Sequence, residues 1–217
     1  MTVRSVLLDL LFPPRCAVCG RVGVHGICEQ CETSLPYAEE PLHRGAYGCC
    51  AAPLRYEGAV RDSLLRFKFR GGQSAAEGYG MLVARCAAEY FSGEFDLVTY
   101  VPVSAKRKRE RGYDQAYLIA REAARLWDTK PVTLLRKLRD NPAQSGLDAA
   151  ARRGNVAGVY EAAETALIRG ARVLLIDDIL TTGSTLSECV RVLKAAGAER
   201  VVCACAASAG LETNKKG

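Results

Sequence analysis

Residues Val173 to Thr185, Val-Leu-Leu-Ile-Asp-Asp-Ile-Leu-Thr-Thr-Gly-Ser-Thr, constrain the fold of this chain more than any other stretch. Val173 to Ile176 is a short, wholly apolar run of the kind that forms strands buried on both faces. A polar loop follows, and then Leu186, Val190 and Leu193 fall at helical spacing, with Gly197 as a cap and Arg200 to Ala206 as the next strand. This succession is a βαβ unit. Strands and helices alternate along the rest of the chain, which predicts an α/β fold with a mainly parallel sheet and helices on both faces.

The loop predicts chemistry as well as topology. Ligands of open α/β sheets bind beyond the carboxyl ends of the strands, where this strand delivers Asp177 and Asp178 into Thr181, Thr182, Gly183, Ser184 and Thr185. Backbone N–H groups of Thr182 to Thr185, the hydroxyls and the positive end of the following helix can converge on one phosphate, and Gly183 allows close approach. Asp177 and Asp178 would repel that phosphate, but carboxylates accept hydrogen bonds from a ribose diol. The alternative is a helix cap on an ordinary turn. A cap needs one carboxylate and no hydroxyl cluster, which favours the ribose-phosphate assignment. The loop lacks the Gly-Lys-Ser/Thr ending of an ATPase P-loop, so ATP hydrolysis is not supported.

Ten cysteines are present, and four have a ligand-like rhythm: Cys16, Cys19, Cys28 and Cys31 read C-x2-C-x8-C-x2-C. Two such pairs on tight turns can aim four thiolates at one tetrahedral zinc, whose closed shell would make it structural. Structural disulfides, a redox pair or unliganded thiols are the alternatives. Cys49 and Cys50 are adjacent and cannot easily chelate one ion together, and Cys86, Cys189, Cys203 and Cys205 fall on apolar patterns that suit buried residues.

The chain has 217 residues, 49% of them hydrophobic and 25% charged, the balance of a globular protein. Its longest apolar run is Val201 to Ala207, far short of the roughly 20 residues a spanning helix needs, so no membrane insertion is expected. Met1 to Phe12 is expected to form a short amphipathic helix: Asp9 splits its apolar residues, and Pro13-Pro14 stand where a signal peptide would carry small ones. A reducing, cytoplasmic setting follows, in which disulfides rarely persist.

Residues 1–53 are broken by five prolines and read as a small metal-held module rather than a sheet, residues 54–210 as the α/β domain and 211–217 as a polar tail. Within the domain, helices are expected over Val60 to Phe67, ending near Gly71-Gly72, over Tyr79 to Tyr90, and over Tyr117 to Trp127. Strands are expected over Leu97 to Val103 and Val132 to Leu135. Lys106 to Arg111 holds five cations and one anion, an anion-seeking run whose alternative is a solvated charged face. Lys137 to Asn155, with Asn141-Pro142, Gly146 and several cations, reads as a mobile loop that closes over the site. His25 and His43 both lie in the N-terminal segment, so histidine catalysis in the α/β part is not expected.

The thirteen residues from Val173 to Thr185 resemble the phosphoribosyl-pyrophosphate (PRPP) signature of type I phosphoribosyltransferases. The chain is similar to the ComF family almost end to end. The shared features are the leader Leu8-Asp9-Leu10-Leu11-Phe12-Pro13-Pro14 before a four-cysteine finger, Lys68-Phe69-Arg70-Gly71, Val101-Pro102-Val103, Arg109-Glu110-Arg111-Gly112-Tyr113-Asp114-Gln115, Gln144-Ser145-Gly146-Leu147 and Arg152-Arg153-Gly154-Asn155. Asp114 stands where the family usually has Asn, adding a negative charge beside the expected pyrophosphate site. A third cysteine pair of many relatives is reduced here to Cys49-Cys50, and Ser104 replaces a second proline.

The resemblance implies that Asp177 and Asp178 are the catalytic pair, that Arg109, Arg111, Gly112 and Gln115 bind pyrophosphate, and that Lys137, Gln144, Arg152 and Asn155 belong to the closing loop. It implies magnesium held largely by PRPP's own oxygens, and phosphoribosyl transfer to an unidentified acceptor under a hood formed by the N-terminal third. It also implies a role in DNA uptake and natural competence beside a helicase-like partner. Two further roles are compatible with the residues: a single-stranded-DNA-binding accessory using basic loops near Tyr56, Phe67, Phe69 and Tyr113, and a PRPP-sensing regulator without turnover.

Overall fold

In the computed structural model, residues 13–69, 73–139 and 158–210 are described. Expectations for the leader helix, the Gly71-Gly72 helix end, Gln144, Arg152, Asn155 and the polar tail lie outside these residues.

Strand β7 (Arg172–Leu180) is the axis of the sheet, with Val173 to Ile176 fully buried as the apolar run requires. β8 (Arg200–Ser208) and β4 (Leu97–Tyr100) flank it, both parallel to it. Beyond β8 lies β2 (Gly48–Ala51), parallel to β8, followed by β1 (Leu42–Gly45), antiparallel to β2. The order is β1-β2-β8-β7-β4, with the short β3 (Leu54–Arg55) also pairing with β8. Side chains alternate across this sheet with a period of two. Leu174, Ile176, Val202, Ala204 and Ala206 share one core with helices α2 (Gly58–Phe69), α3 (Ala75–Phe91) and α5 (Gln115–Ala124). Val173, Leu175, Val201, Cys203 and Cys205 share the other with helix α7 (Ser184–Ala195), the short α6 (Thr165–Ile168) and an antiparallel ribbon of β5 (Leu135–Lys137) and β6 (Tyr160–Ala162). The expected α/β class, mainly parallel with helices on both faces, is the observed one.

Three elements differ from expectation. Residues 42–51, expected within a sheetless module, form the β1–β2 hairpin of the central sheet, because the apolar ends of β2 pair with β8 through Cys50 to Cys203 and Ala51 to Ala204. The sheet thus begins at Leu42, within the stretch expected to hold no sheet. In α5 the buried face is Leu118, Ile119, Ala120, Ala123 and Ala124, while Tyr117 stays 36% exposed and sets its ring edge-on to Tyr100. The third is β5, which starts at Leu135 rather than Val132. Val132 runs beside the edge of β4 instead, its N–H bonded to the Val98 carbonyl and its own carbonyl accepting from the Thr99 hydroxyl.

Cys16, Ala17, Val18 and Cys28 belong to the same core as α2 and α3, so the cysteine segment is docked on the α/β body. The contact is close because α3 presents glycines on two sides. A Cβ on Gly78 would stand 2.8 Å from Ala17 Cβ and from Ile27 Cγ1, and one on Gly80 would stand 2.5 Å from Glu122 Cβ of α5. Helix α3 is thus wedged between the cysteine segment and α5. Among the described residues no helix is long and apolar enough to cross a membrane.

Gly78→Leu is expected to destabilise the protein by about 2 kcal/mol through overpacking, and to make the 13–35 segment protease-sensitive ahead of the α/β body. Thermal melts and limited proteolysis check both effects.

Candidate functional site

Strand β7 does not release its chain at Ile176. β8 continues beside it, pairing Asp177 with Cys205 and Ile179 with Ala207, so the two acids sit on the last third of a strand rather than in the loop. Period-two alternation then aims Asp178 at the α2 side of the sheet and Asp177 at the α7 side. Asp178 is buried, and its Oδ2 lies 2.9 Å from Lys68 Nζ at the end of α2. Asp177 Oδ1 accepts the Asp178 N–H at 2.8 Å and keeps part of its surface open to a cleft. Burial first, and then the neighbouring Asp178 carboxylate, push the Asp177 carboxyl up to about 8, against the pull of Lys68 and of the Asp178 N–H.

Thr181 to Gly183 turn the chain from β7 into α7. Gly183 adopts φ +73°, and a Cβ there would stand 2.3 Å from Cε1 of Tyr47, whose ring comes from the β1–β2 turn. Both facts require glycine. The Thr182 and Ser184 hydroxyls bond each other at 2.9 Å, and the Ser187 hydroxyl closes the first turn of α7 onto the Gly183 carbonyl. Thr181 and Thr185 line the cleft, beside the N–H groups that the first turn of a helix leaves without intrahelical partners.

The cations come from three directions. Lys68 lines the cleft from α2, Arg107 and Arg111 from α4 (Ala105–Arg111), and Lys137 from β5, its Nζ 5.2 Å from the centre of the Tyr160 ring. On α4, residues 107 and 111 are one turn apart and share a face, while Arg109 is exposed and does not line the cleft. Gly112 ends the helix at φ +79°. Gln115, 1% exposed, accepts from Arg111 through Oε1 at 2.9 Å, and its Nε2 has no hydrogen-bond partner among the described residues. A buried donor left free at a cleft wall is poised for a ligand's oxygen. Asp114 serves the backbone instead: Oδ1 caps α5 at the Tyr117 N–H, and Oδ2 accepts the Val103 N–H at 2.9 Å. Its unusual carboxylate is thereby accounted for, although burial raises its pKa against these two bonds.

The structure therefore gathers Asp177, Asp178, Thr181, Thr185, Arg111, Gln115 and Lys137 into one cleft, with Thr182, Gly183 and Ser184 forming the adjoining turn. Sequence reasoning did not assign Lys68, Arg107 or Tyr160 to the site. The i, i+4 spacing from Arg107 to Arg111 could have found the second of these. Tyr160, on a three-residue strand, carries no such signal.

In the N-terminal segment, the Sγ atoms of Cys16, Cys19, Cys28 and Cys31 lie within 4.8 Å of one another, and Cys19 and Cys28 are 3.8 Å apart. Tetrahedral zinc with bonds of about 2.3 Å requires sulfur separations of about 3.8 Å, so the four thiols fit the ion. Although burial opposes it, the backbone N–H groups of Cys28, Cys19 and Val18 pull the Cys16 thiol down, while burial and the neighbouring thiols push Cys31 up, so that without a cation the cluster shares its charge unevenly. With four protein ligands the ion has no open position, and its part is structural. The described residues include every cysteine, and no second metal-ligating group forms among them: Cys49 sits on β2 accepting from Arg44, and Cys50, buried in the core, bonds the Cys205 thiol at 3.7 Å.

A crossover sheet with two acids, a hydroxyl turn and convergent cations at its carboxyl edge defines a phosphoribosyltransferase-type domain behind a zinc-binding segment. Residues 110–216 match the phosphoribosyl transferase domain family, and residues 7–63 the double zinc ribbon domain family. Competence protein ComFC of Bacillus subtilis is 27% identical over 183 residues, 82% of this chain and 70% of that protein. The DNA utilization protein YhgH of Salmonella typhimurium is 27% identical over 205 residues, 86% of each. The chain thus carries a phosphoribosyl transferase domain and a double zinc ribbon segment, and it is similar to the ComF proteins that its sequence resembles. Among solved structures, glutamine PRPP amidotransferase from B. subtilis is similar at 24% identity and a TM-score of 0.43, over 62% of this chain and 26% of that one, so this chain spans about a quarter of that enzyme.

An acid whose pKa rises on folding costs stability once it ionises. For Asp177 the cost is absent below the ordinary carboxylate range, grows as pH rises, and levels off above about 8. Asp177→Asn is expected to raise the thermal midpoint by an increment that grows between about pH 5 and about pH 8; an increment constant across that range would mean that Asp177 titrates as an ordinary carboxylate. Each chain is further expected to hold a single zinc, lost in Cys16→Ser/Cys28→Ser. Metal analysis of natively purified protein measures this, and a zinc-free parent would count against the site.

Proposed function

We propose that this cleft binds PRPP with magnesium and transfers the phosphoribosyl group to an acceptor. The observation that carries the proposal is the meeting in one cleft of four cations and the two acids with Thr181 and Thr185, beside the Nε2 of buried Gln115, which is unpartnered among the described residues. Each part of PRPP has a matching surface. The turn from Thr181 to Thr185 suits the 5′-phosphate, which needs N–H and hydroxyl donors. Asp177 and Asp178 suit the ribose hydroxyls, as acceptors. Arg107, Arg111, Lys137 and Gln115 suit the pyrophosphate. Arg109 is exposed and does not line the cleft, and Arg107 takes its part in this assignment.

In the reaction the C1–O bond breaks, its electron pair leaves with pyrophosphate, and an acceptor lone pair forms the new bond to C1. The acceptor's proton passes to solvent or to the departing oxygen. Charge grows on the leaving group and on the ring, so the protein's task is positioning and electrostatic stabilisation rather than nucleophilic attack. Magnesium, a hard cation that takes oxygen ligands, would be held by PRPP's own oxygens and neutralise part of the leaving charge. Tyr160 and the residues just beyond β4, Val101 to Val103, line one wall of the cleft. The names competence protein and DNA utilization protein borne by the relatives support a role in competence or DNA utilization.

Isothermal titration with PRPP and magnesium, followed by pyrophosphate release across a panel of bases and amines, tests the proposal. Asp177→Asn/Asp178→Asn is expected to lose PRPP binding. A double variant that titrates like the parent would refute the diol assignment. Binding without pyrophosphate release would identify a sensor rather than a transferase.

A further inference from the structure

Lys68 lies outside the span that matches the phosphoribosyl transferase domain, yet its ammonium pairs with Asp178 in the cleft at 2.9 Å. The turn that carries it is tied on every side. Arg66 donates to the carbonyl of Val18, between the first two zinc-ligand cysteines. The Phe67 carbonyl accepts from the Tyr113 hydroxyl, and the two rings stack at 5.9 Å. The Arg111 guanidinium lies 5.0 Å over the Phe69 ring. Four consecutive residues thus bind the zinc segment, the start of α5, the acid pair and the cationic helix α4.

Resting on the phosphoribosyl reading above, we propose that Lys68 is a positioning residue of the site. It is the counter-cation that lowers the cost of ionising Asp177 beside Asp178 when the pair receives the ribose hydroxyls, and the zinc segment holds it in place through Arg66. Two carboxylates on adjacent residues repel each other, and a cation at hydrogen-bond distance offsets that repulsion most effectively where water is scarce. Lys68 is one-quarter exposed and Asp178 one-eighth, so the pair is largely shielded. Burial disfavours charge on Lys68, and Asp178 and Asp177 outweigh it to keep the ammonium protonated.

The other groups facing the acids do not replace it. Arg107, Arg111 and Lys137 line the cleft where the pyrophosphate is assigned, Asp114 adds negative charge from the start of α5, and Tyr160 stays neutral in its buried position. Tyr56 lies near Lys68. Behind Asp177, the buried thiols of Cys50, Cys189, Cys203 and Cys205 remain protonated.

The test is titration of PRPP with magnesium into the full chain over about pH 6 to about pH 9, using Lys68→Met, Lys68→Arg, Arg66→Met and Arg66→Met/Lys68→Met, with zinc content and thermal midpoint recorded for each. Lys68→Met is expected to weaken binding about tenfold near neutral pH, the order expected when a shielded charge loses its partner, and to shift the pH midpoint of binding upward. Lys68→Arg restores both. Arg66→Met weakens binding in the parent and has no further effect once Lys68 is gone. Parent-like affinity and pH midpoint in Lys68→Met would overturn the inference while leaving the site assignment intact. Equal effects of Arg66→Met in both backgrounds would overturn the link to the zinc segment. A parent that binds no PRPP would overturn the site assignment itself, and this inference with it.

Discussion

Keeping two carboxylates side by side at the end of a buried strand is the constraint around which the rest of this molecule is arranged. Strand pairing fixes Asp177 and Asp178, because β8 runs on beside β7 as far as Ser208. Neither acid can retreat into solvent without breaking that ladder. Their charge is met instead by Lys68 at 2.9 Å and by the Asp178 N–H at 2.8 Å. The α2 turn, the clamp on it from Tyr113 and Arg111, and the capping of α5 by Asp114 all hold positive or donor groups around this one locus.

The zinc-binding segment and the α/β body share a single core rather than meeting at a surface. Cys16 and Cys28 pack in the same cluster as Leu174 and Ile176 of the central strand. Glycines at 78 and 80 bring backbone against backbone on two sides of α3, and the Arg66 bond to Val18 ties the metal loop to the helix that ends at the site. Zinc makes no contact with substrate chemistry in such an arrangement. Its effect is to fix the loop against which α2 and α3 are built.

The central fold was legible because its signals are local. An apolar run, a polar turn, an amphipathic helix and a glycine cap identify β7, α7 and β8 within forty residues, and the cysteine spacing identifies the metal loop with equal economy. What could not be read depended on distant partners. The β1–β2 hairpin looks like proline-broken coil until β8 is available to pair with it, and Tyr117 follows the helical period but finds Tyr100 rather than the core. In the site, the acids and hydroxyls were legible because they lie on one contiguous stretch, the end of β7 and the turn after it. Lys68 and Tyr160 were not, since they reach the cleft from 110 residues upstream of Asp178 and from a separate ribbon.

The β1–β2 hairpin has a consequence for how such a chain can be divided. The residues that match the phosphoribosyl transferase domain begin at 110, after β1 to β4 have been contributed. Cutting there would strip β7 and β8 of their outer neighbours and lay open both rims of a two-stranded apolar sheet, a template for intermolecular pairing. It would also take away the Tyr47 ring that backs Gly183. The unit recognised by its catalytic-type motif is therefore not a unit of folding, and in evolution the anterior portion would have to be inherited together with the motif rather than shuffled onto it.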